Sequence, residues 1–356
     1  MTSVTKRFGL GLVAAALTQV GASAANQPAL PPARPAVAPR LRPMPAPAAL
    51  RDRINDLGRS FNGRVGIAVR SVDDGWTVGW KADEYYPQQS VSKLWVSITA
   101  LDAVDKGRVS LSDRVTVSNS DLTLFHQPIA ALVRKSGGYT TTLDDLMFKA
   151  ITTSDNTAND KLMRSVGGAE AVRAVIQSKG LGNVRFYNGE RALQSKIAGL
   201  IWTPSYSIGN AFYEARNALP YRLRKAAFDR YVDDPYDGAA PSAIANALAA
   251  LKRGELLSPA STQRLLYIMA NTHTGPNRLR GGLQPGWSLS HKTGTGQVLG
   301  PLQAGYNDIG ILTAPDGRSY AVAVMIKLTS TPLPTRMTLM NNVVRAVIAQ
   351  HDGGPR

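Results

Sequence analysis

The chain of 356 residues contains no cysteine. That excludes disulfides, thiol nucleophiles and thiolate metal centres, as well as a lipid anchor carried on a cysteine. Histidine is nearly as scarce: His126, His273, His291 and His351 are scattered without ligand spacing. A metal site is therefore not expected, and nothing in the chain asks for another cofactor. Internal repeats are absent too, which removes solenoids and propellers. Acidic residues are in deficit, 25 against 41 lysines and arginines, for a formal net charge of +16. Such a surplus favours anionic surfaces such as lipopolysaccharide or nucleic acid. No aromatic-basic RNA motif or zinc-finger spacing accompanies it, so nucleic acid is not an expected partner.

What is present begins with a leader. Lys6 and Arg7 precede the apolar run Phe8 to Val20, which ends at the small residues Ala22, Ser23 and Ala24. Residues 1–24 have the form of a secretory signal peptide, too short and wrongly flanked for stable membrane insertion. A periplasmic or secreted protein is expected. Residues 25–50 are rich in proline and alanine, a composition that favours extended chain, and read as a linker. Residues 51–352 then suffice for one catalytic domain with a proper core.

Within that domain, Val65, Ile67 and Val69 alternate, Asp74-Gly75 marks a tight turn, and Trp76, Val78 and Trp80 alternate again. This predicts a hairpin over 64–81. Helical signals follow. Val91, Leu94, Trp95, Ile98 and Leu101 recur at helical spacing ahead of Gly107, and Thr142 to Asp145 resembles a capping box. Gly168 to Gly180 brackets a helix, Pro241 opens one that stops at Gly254, and Ser258-Pro259 opens another. Strand patterns return around Trp287 to Gly294, Asn307 to Thr313 and Ser319 to Ile326, before a closing helix carrying Met337, Met340, Val344 and Ile348. The expected architecture is an α/β (α+β) fold: an antiparallel sheet flanked by helices, with an inserted all-α lobe. The α/β lobe takes about 51–90 and 285–352, the helical lobe about 91–284. A cleft between the lobes is the expected site.

Ser90 and Lys93 sit at the crossing from sheet to helices. At i and i+3 in a first helical turn they share one face, at the positive end of the helix dipole. A lysine amine there can take the proton of a serine hydroxyl and make it a nucleophile. A cap and a solvated lysine would leave the same pattern; indeed Ser3-Val4-Thr5-Lys6 also fits S-x-x-K. Two further clusters decide between them. Ser154-Asp155-Asn156 follows the capped helix, and Lys292-Thr293-Gly294-Thr295-Gly296 lies on the returning strand. In this order the three motifs resemble the signature of serine β-lactamases and penicillin-binding proteins, and most nearly class A β-lactamases, over nearly the whole chain after about residue 50.

The resemblance implies roles. Ser90 attacks the carbonyl to form an acyl-enzyme, with the Ser90 and Thr295 backbone N–H groups holding the oxyanion. Lys93 takes or polarises the hydroxyl proton. Ser154 relays a proton to the leaving nitrogen, and Lys292 tunes it. Asn156 binds the substrate's side-chain amide, and Thr293 and Thr295 face its carboxylate. Arg278 stands where some class A enzymes carry a cleft arginine for that carboxylate, and Arg280 reads as structural. Glu190 matches the glutamate that activates the deacylating water, at the family interval from Ser154. The implied substrate is a small-molecule β-lactam, and the implied state a monomer.

Four departures stand out. Gln194 replaces the asparagine that helps hold the water, a longer amide expected to do so less rigidly. Asn188 and Gly189 occupy the positions before Glu190 where a bracing arginine is usual. His291 replaces an acidic residue. The loop after the glutamate runs on over about 195–237, with aromatic helices expected near 209–218 and 220–231, as a lid or a docking arm. Phe125 and His126 are expected near the cleft entrance. Two other functions fit the motifs: a DD-peptidase-like enzyme acting on D-Ala-D-Ala peptidoglycan peptides, and a non-hydrolytic cell-wall sensor.

Overall fold

The computed structural model describes residues 44–353; the leader and most of the linker lie outside them. The chain opens with α1 (Ala48–Ser60), β1 (Arg64–Ser71), β2 (Thr77–Trp80) and β3 (Tyr86–Pro87), then a 3₁₀ turn at Gln89–Ser92. Next come α2 (Lys93–Asp105), β4 (Arg114–Ser118), α3 (Ile129–Ser136), β5 (Gly138–Thr142), α4 (Leu143–Thr152), α5 (Asn156–Ser165) and α6 (Gly168–Ser178). They are followed by α7 (Glu190–Ile197), α8 (Ala211–Ala218), α9 (Tyr221–Asp233), β6 (Gly238–Ala239), α10 (Pro241–Lys252) and α11 (Pro259–Ala270). The chain closes with β7 (Ser288–Thr295), β8 (Val298–Leu299), β9 (Leu302–Thr313), β10 (Ser319–Thr329) and α12 (Leu333–Gly353).

The main sheet runs β2-β1-β10-β9-β7, with β8 paired to β9, and its pairings are antiparallel. Alternation sorts its two faces. Val65, Ile67, Val69, Val322, Val324 and Ile326 pack against Leu50, Ile54 and Leu57 of α1 and Val343, Val344 and Val347 of α12. The other face carries Ala68, Ala321, Ala323 and Met325, which meet α2 and α10. Small residues there let helix backbones come close. The helical lobe therefore rests on one face of the sheet.

Sequence periodicity located most of these elements but displaced some. Leu50, Ile54 and Leu57 are buried at helical spacing, so α1 starts within the segment read as linker. Ser90 was expected in the first turn of an α-helix; it lies instead in the 3₁₀ turn, and Lys93 is the first α-helical residue. Gln89 adopts a left-handed φ of 55°, which delays regular helix past Ser90. Thr142 caps α4 by accepting from the Asp145 N–H. The long loop begins only after Ile197, because α7 extends through Ser195, and α8 and α9 fall where helices were expected.

Close backbone approach explains one glycine in the sheet. A Cβ on Gly66 would lie 2.5 Å from the Tyr86 ring and 2.9 Å from Pro241. Gly66→Ala is expected to cost about 1–3 kcal/mol through overpacking. Urea denaturation checks this; an unchanged midpoint would show that Tyr86 can move aside freely.

Candidate active site

Lys93 is the centre of the site. Its side chain is fully buried, and its ammonium meets Ser90 Oγ at 2.7 Å, Asn156 Oδ1 at 2.7 Å and Glu190 Oε1 at 2.8 Å. Three donors meet three acceptors, so the more distant Ser154 Oγ at 3.5 Å is a weak fourth contact. Ser154 has its short contact with Lys292 Nζ, at 2.9 Å. Burial, followed by the charges of Lys93 and Arg278, pushes the Lys292 amine well below its ordinary range. Ser154 itself sits at a left-handed φ of 61°, and so does Phe125. Non-glycine residues rarely adopt this conformation, and such strain collects at functional sites.

The glycine of the Lys292-Thr293-Gly294 motif has a steric reason. A Cβ at Gly294 would stand 2.3 Å from the Gln88 carbonyl oxygen. Glycine lets β7 close onto the turn that presents Ser90. In the sheet order β7 is one of the two edge strands. Thr293 Oγ1 contacts Thr274 Oγ1 at 2.6 Å. Arg278 donates to Thr295 Oγ1 at 2.6 Å, Asn307 O at 2.7 Å and Gly294 O at 3.0 Å, and lies 3.8 Å over the Tyr306 ring. It thus braces β7 while lining the cleft, in addition to the carboxylate-binding position that the sequence suggests. Arg280 reaches only the Ala270 carbonyl, at 3.4 Å. His291 instead pairs through Nδ1 with buried Asp308, at 2.9 Å.

On the other side, α7 delivers Glu190 and Gln194 one turn apart. Asp160 holds the start of that helix by accepting from the Glu190 N–H at 2.9 Å and the Arg191 N–H at 3.4 Å. Burial and the neighbouring Glu190 charge raise the Asp160 carboxyl to about 6. Gln194 is not loosely held. Its Nε2 donates to Gln89 Oε1 at 2.9 Å and Glu190 Oε2 at 3.2 Å, and Gln297 clamps its backbone oxygen at 2.8 Å and Oε1 at 3.1 Å. Both amide hydrogens are used, leaving Oε1 a lone pair for a further donor.

What lies behind Gln194 leaves no mark in the sequence. Gln89 donates to Tyr231 Oη of α9, which donates to Asp237 Oδ1 at 2.9 Å. The other Asp237 oxygen accepts the Gln89 backbone N–H at 2.7 Å. Both ends of the insertion are therefore tied to the residue preceding Ser90. Only the tertiary structure brings these partners together.

These groups line one cleft of about 500 Å³: Ser90, Ser154, Asn156, Glu190, Gln194, Arg278, Thr293 and Thr295 border it, with Phe125 and His126. The insertion adds Tyr213 and Arg216, which sequence reasoning did not select. Among the described residues no cluster of three or more His, Asp or Glu could hold a metal ion. No helix among them is long and apolar enough to cross a membrane.

Burial raises the Asp237 carboxyl to about 7. In the unfolded chain it would lose its proton near 4, so between those values unfolding releases a proton and rising pH favours unfolding. Wild-type stability is expected to fall from pH 5 to pH 8, and Asp237→Asn to fall less steeply. Denaturation midpoints at the two pH values test this; equal slopes would mean that Asp237 ionises normally.

The comparisons with known proteins agree with this geometry. A family model described as "Beta-lactamase enzyme family" matches residues 49–351. β-Lactamase L2 of Stenotrophomonas maltophilia is 28% identical over 328 residues, 91% of this chain and 94% of that protein. A β-lactamase structure from Chitinophaga pinensis superimposes with a TM-score of 0.70 at 27% identity, covering 85% of this chain and 99% of the other. An ancestral class A β-lactamase gives a TM-score of 0.67 at 29% identity, covering 84% and 99%. With its serine–lysine pair, cleft and sheet order, the chain belongs to the β-lactamase enzyme family, in its class A serine branch.

Proposed function

We propose that this protein hydrolyses β-lactams through an acyl-enzyme on Ser90, which water activated by Glu190 then cleaves. The observation that carries the reading is the contact of Lys93 Nζ with both Ser90 Oγ and Glu190 Oε1. In a concerted relay Lys93 passes a proton to Ser154 Oγ, 3.5 Å away, which frees an amine lone pair facing Ser90 Oγ and leaves Glu190 a carboxylate for the second half. That amine takes the hydroxyl proton as oxygen attacks the lactam carbonyl. Backbone N–H groups of Ser90 and Thr295 receive the oxyanion. Ser154 gives its proton to the leaving nitrogen, and the depressed basicity of Lys292 suits an amine that hands protons on. Thr293, Thr295 and Arg278 bind the ring carboxylate, and Asn156 the acyl amide. In the second half, Glu190 takes a proton from water that Gln194 Oε1 helps orient.

The Glu190–Gln194 pair favours hydrolysis over the DD-peptidase and sensor readings, since a protein that only acylates has no use for it. Residues 1–24 serve as an export leader and 25–47 as a linker, so the enzyme works as a periplasmic or secreted monomer. Peptidoglycan peptides are secondary ligands at most. For the cell, the consequence is β-lactam resistance.

Two experiments test the halves separately. Mass spectrometry with a penicillin should place one drug mass on the peptide containing Ser90, and Ser90→Ala should abolish it; an adduct on another serine sinks the assignment. Glu190→Gln should still acylate but turn over about 10²–10⁴-fold more slowly, showing a burst. Wild type that itself stays acylated for hours would favour the peptidase or sensor.

A further inference from the structure

The insertion brings into the cleft a cation that the reaction above does not use. Tyr213 and Arg216 of α8 border the same cavity as Ser90, Glu190, Gln194 and Gln297. Three residues apart, they share one face of the helix. The Arg216 guanidinium lies 5.3 Å over the Tyr213 ring. Phe212, only 2% exposed, fastens α8 in place. Its ring packs edge-on against Phe125 at 5.0 Å and Tyr206 at 5.6 Å, in a cluster with Leu124 and Ala198. Trp202 continues this wall and is covered by the Arg191 guanidinium at 5.3 Å. Arg216 is therefore carried on a helix with its own aromatic footing.

Among the described residues no carboxylate pairs with Arg216, although Lys225 in the next helix pairs with Asp229. The acid lining the cleft is Glu190, and Lys93 already answers it at 2.8 Å. Arg278 is bonded along β7, the strand that would receive the ring carboxylate. Arg216 belongs to a different wall, built by the insertion and Phe125. Two cations on separate elements of one cleft fit a ligand with two anionic groups.

Resting on the β-lactamase reading, we infer that Arg216 is a specificity-determining residue that selects β-lactams carrying a second carboxylate on the acyl side chain, with Tyr213 positioning it. The ring carboxylate is common to most β-lactams and cannot discriminate among them. A second carboxylate near Arg216 gains a charge-assisted hydrogen bond, moderated because Arg216 is only half-buried.

Benzylpenicillin and carbenicillin test this, since they differ by one carboxylate on the acyl α-carbon. The readout is the ratio of kcat/KM for carbenicillin to that for benzylpenicillin. Arg216→Gln should lower the ratio about tenfold, the lower end for a hydrogen bond to a charged group. Arg216→Glu should lower it further, Arg216→Lys should restore part of it, and added salt should shrink the wild-type ratio. A folded Arg216→Glu protein whose ratio stays within about twofold of wild type overturns the inference and leaves the β-lactamase reading intact. A folded wild type that hydrolyses neither penicillin overturns that reading, and the inference with it.

Discussion

A buried ammonium organises this molecule. Removing the Lys93 amine from water costs several kcal/mol per charge unless polar partners replace the solvent. Here they come from four directions: the 3₁₀ turn supplies Ser90, the start of α5 supplies Asn156, α7 supplies Glu190, and the loop after α4 brings Ser154. Each of those segments must sit within hydrogen-bond reach of one point. The demand for compensation thus aligns elements that are far apart in sequence, and the geometry that keeps Lys93 tolerable is the same geometry that equips it to move protons.

Glycine and strain complete the alignment from the opposite side. β7 comes close to the nucleophile turn because Gly294 carries no side chain, and the turn can face it because Gln89 accepts a left-handed backbone. Gln89 is then held on both sides, by Gln194 and by Tyr231. An unfavourable backbone conformation persists when its surroundings over-determine it. The insertion is part of those surroundings, so it supports the nucleophile turn as well as walling the cleft.

Much of this was legible in the residues. Alternation gave the main strands, caps and helical periodicity gave α4, α6, α10 and α11, and the three motifs gave the family and the residues that converge on the cleft. What escaped was of two kinds. Short pairings such as β3 with β6, only two residues each, carry no periodic signal and exist because their neighbours hold them. Side-chain partners across long separations, such as Asp160 with Glu190 or Asp237 with Gln89, also leave no local trace. Gln194 shows the limit well: its length suggested slack, whereas Gln89 and Gln297 fix it. Arg216 was invisible as a cleft residue because only the fold of the insertion turns α8 toward Ser90.

The sheet order has a kinetic meaning. β1 lies between β2, its neighbour in sequence, and β10, whose residues pair Arg64 with Leu328 and Ser71 with Tyr320. A chain emerging from its N-terminus therefore holds one edge of β1 open until the last strand has appeared. Contacts closed over so long a loop form slowly, because the entropy of closure is lost before pairing compensates. Meanwhile the hairpin presents a row of unpaired amides and carbonyls, the kind of edge that other chains can join. The short β2 and the late addition of α12 over the apolar face make the docking of β10 on β1, more than any local step, the event that commits this protein to its fold.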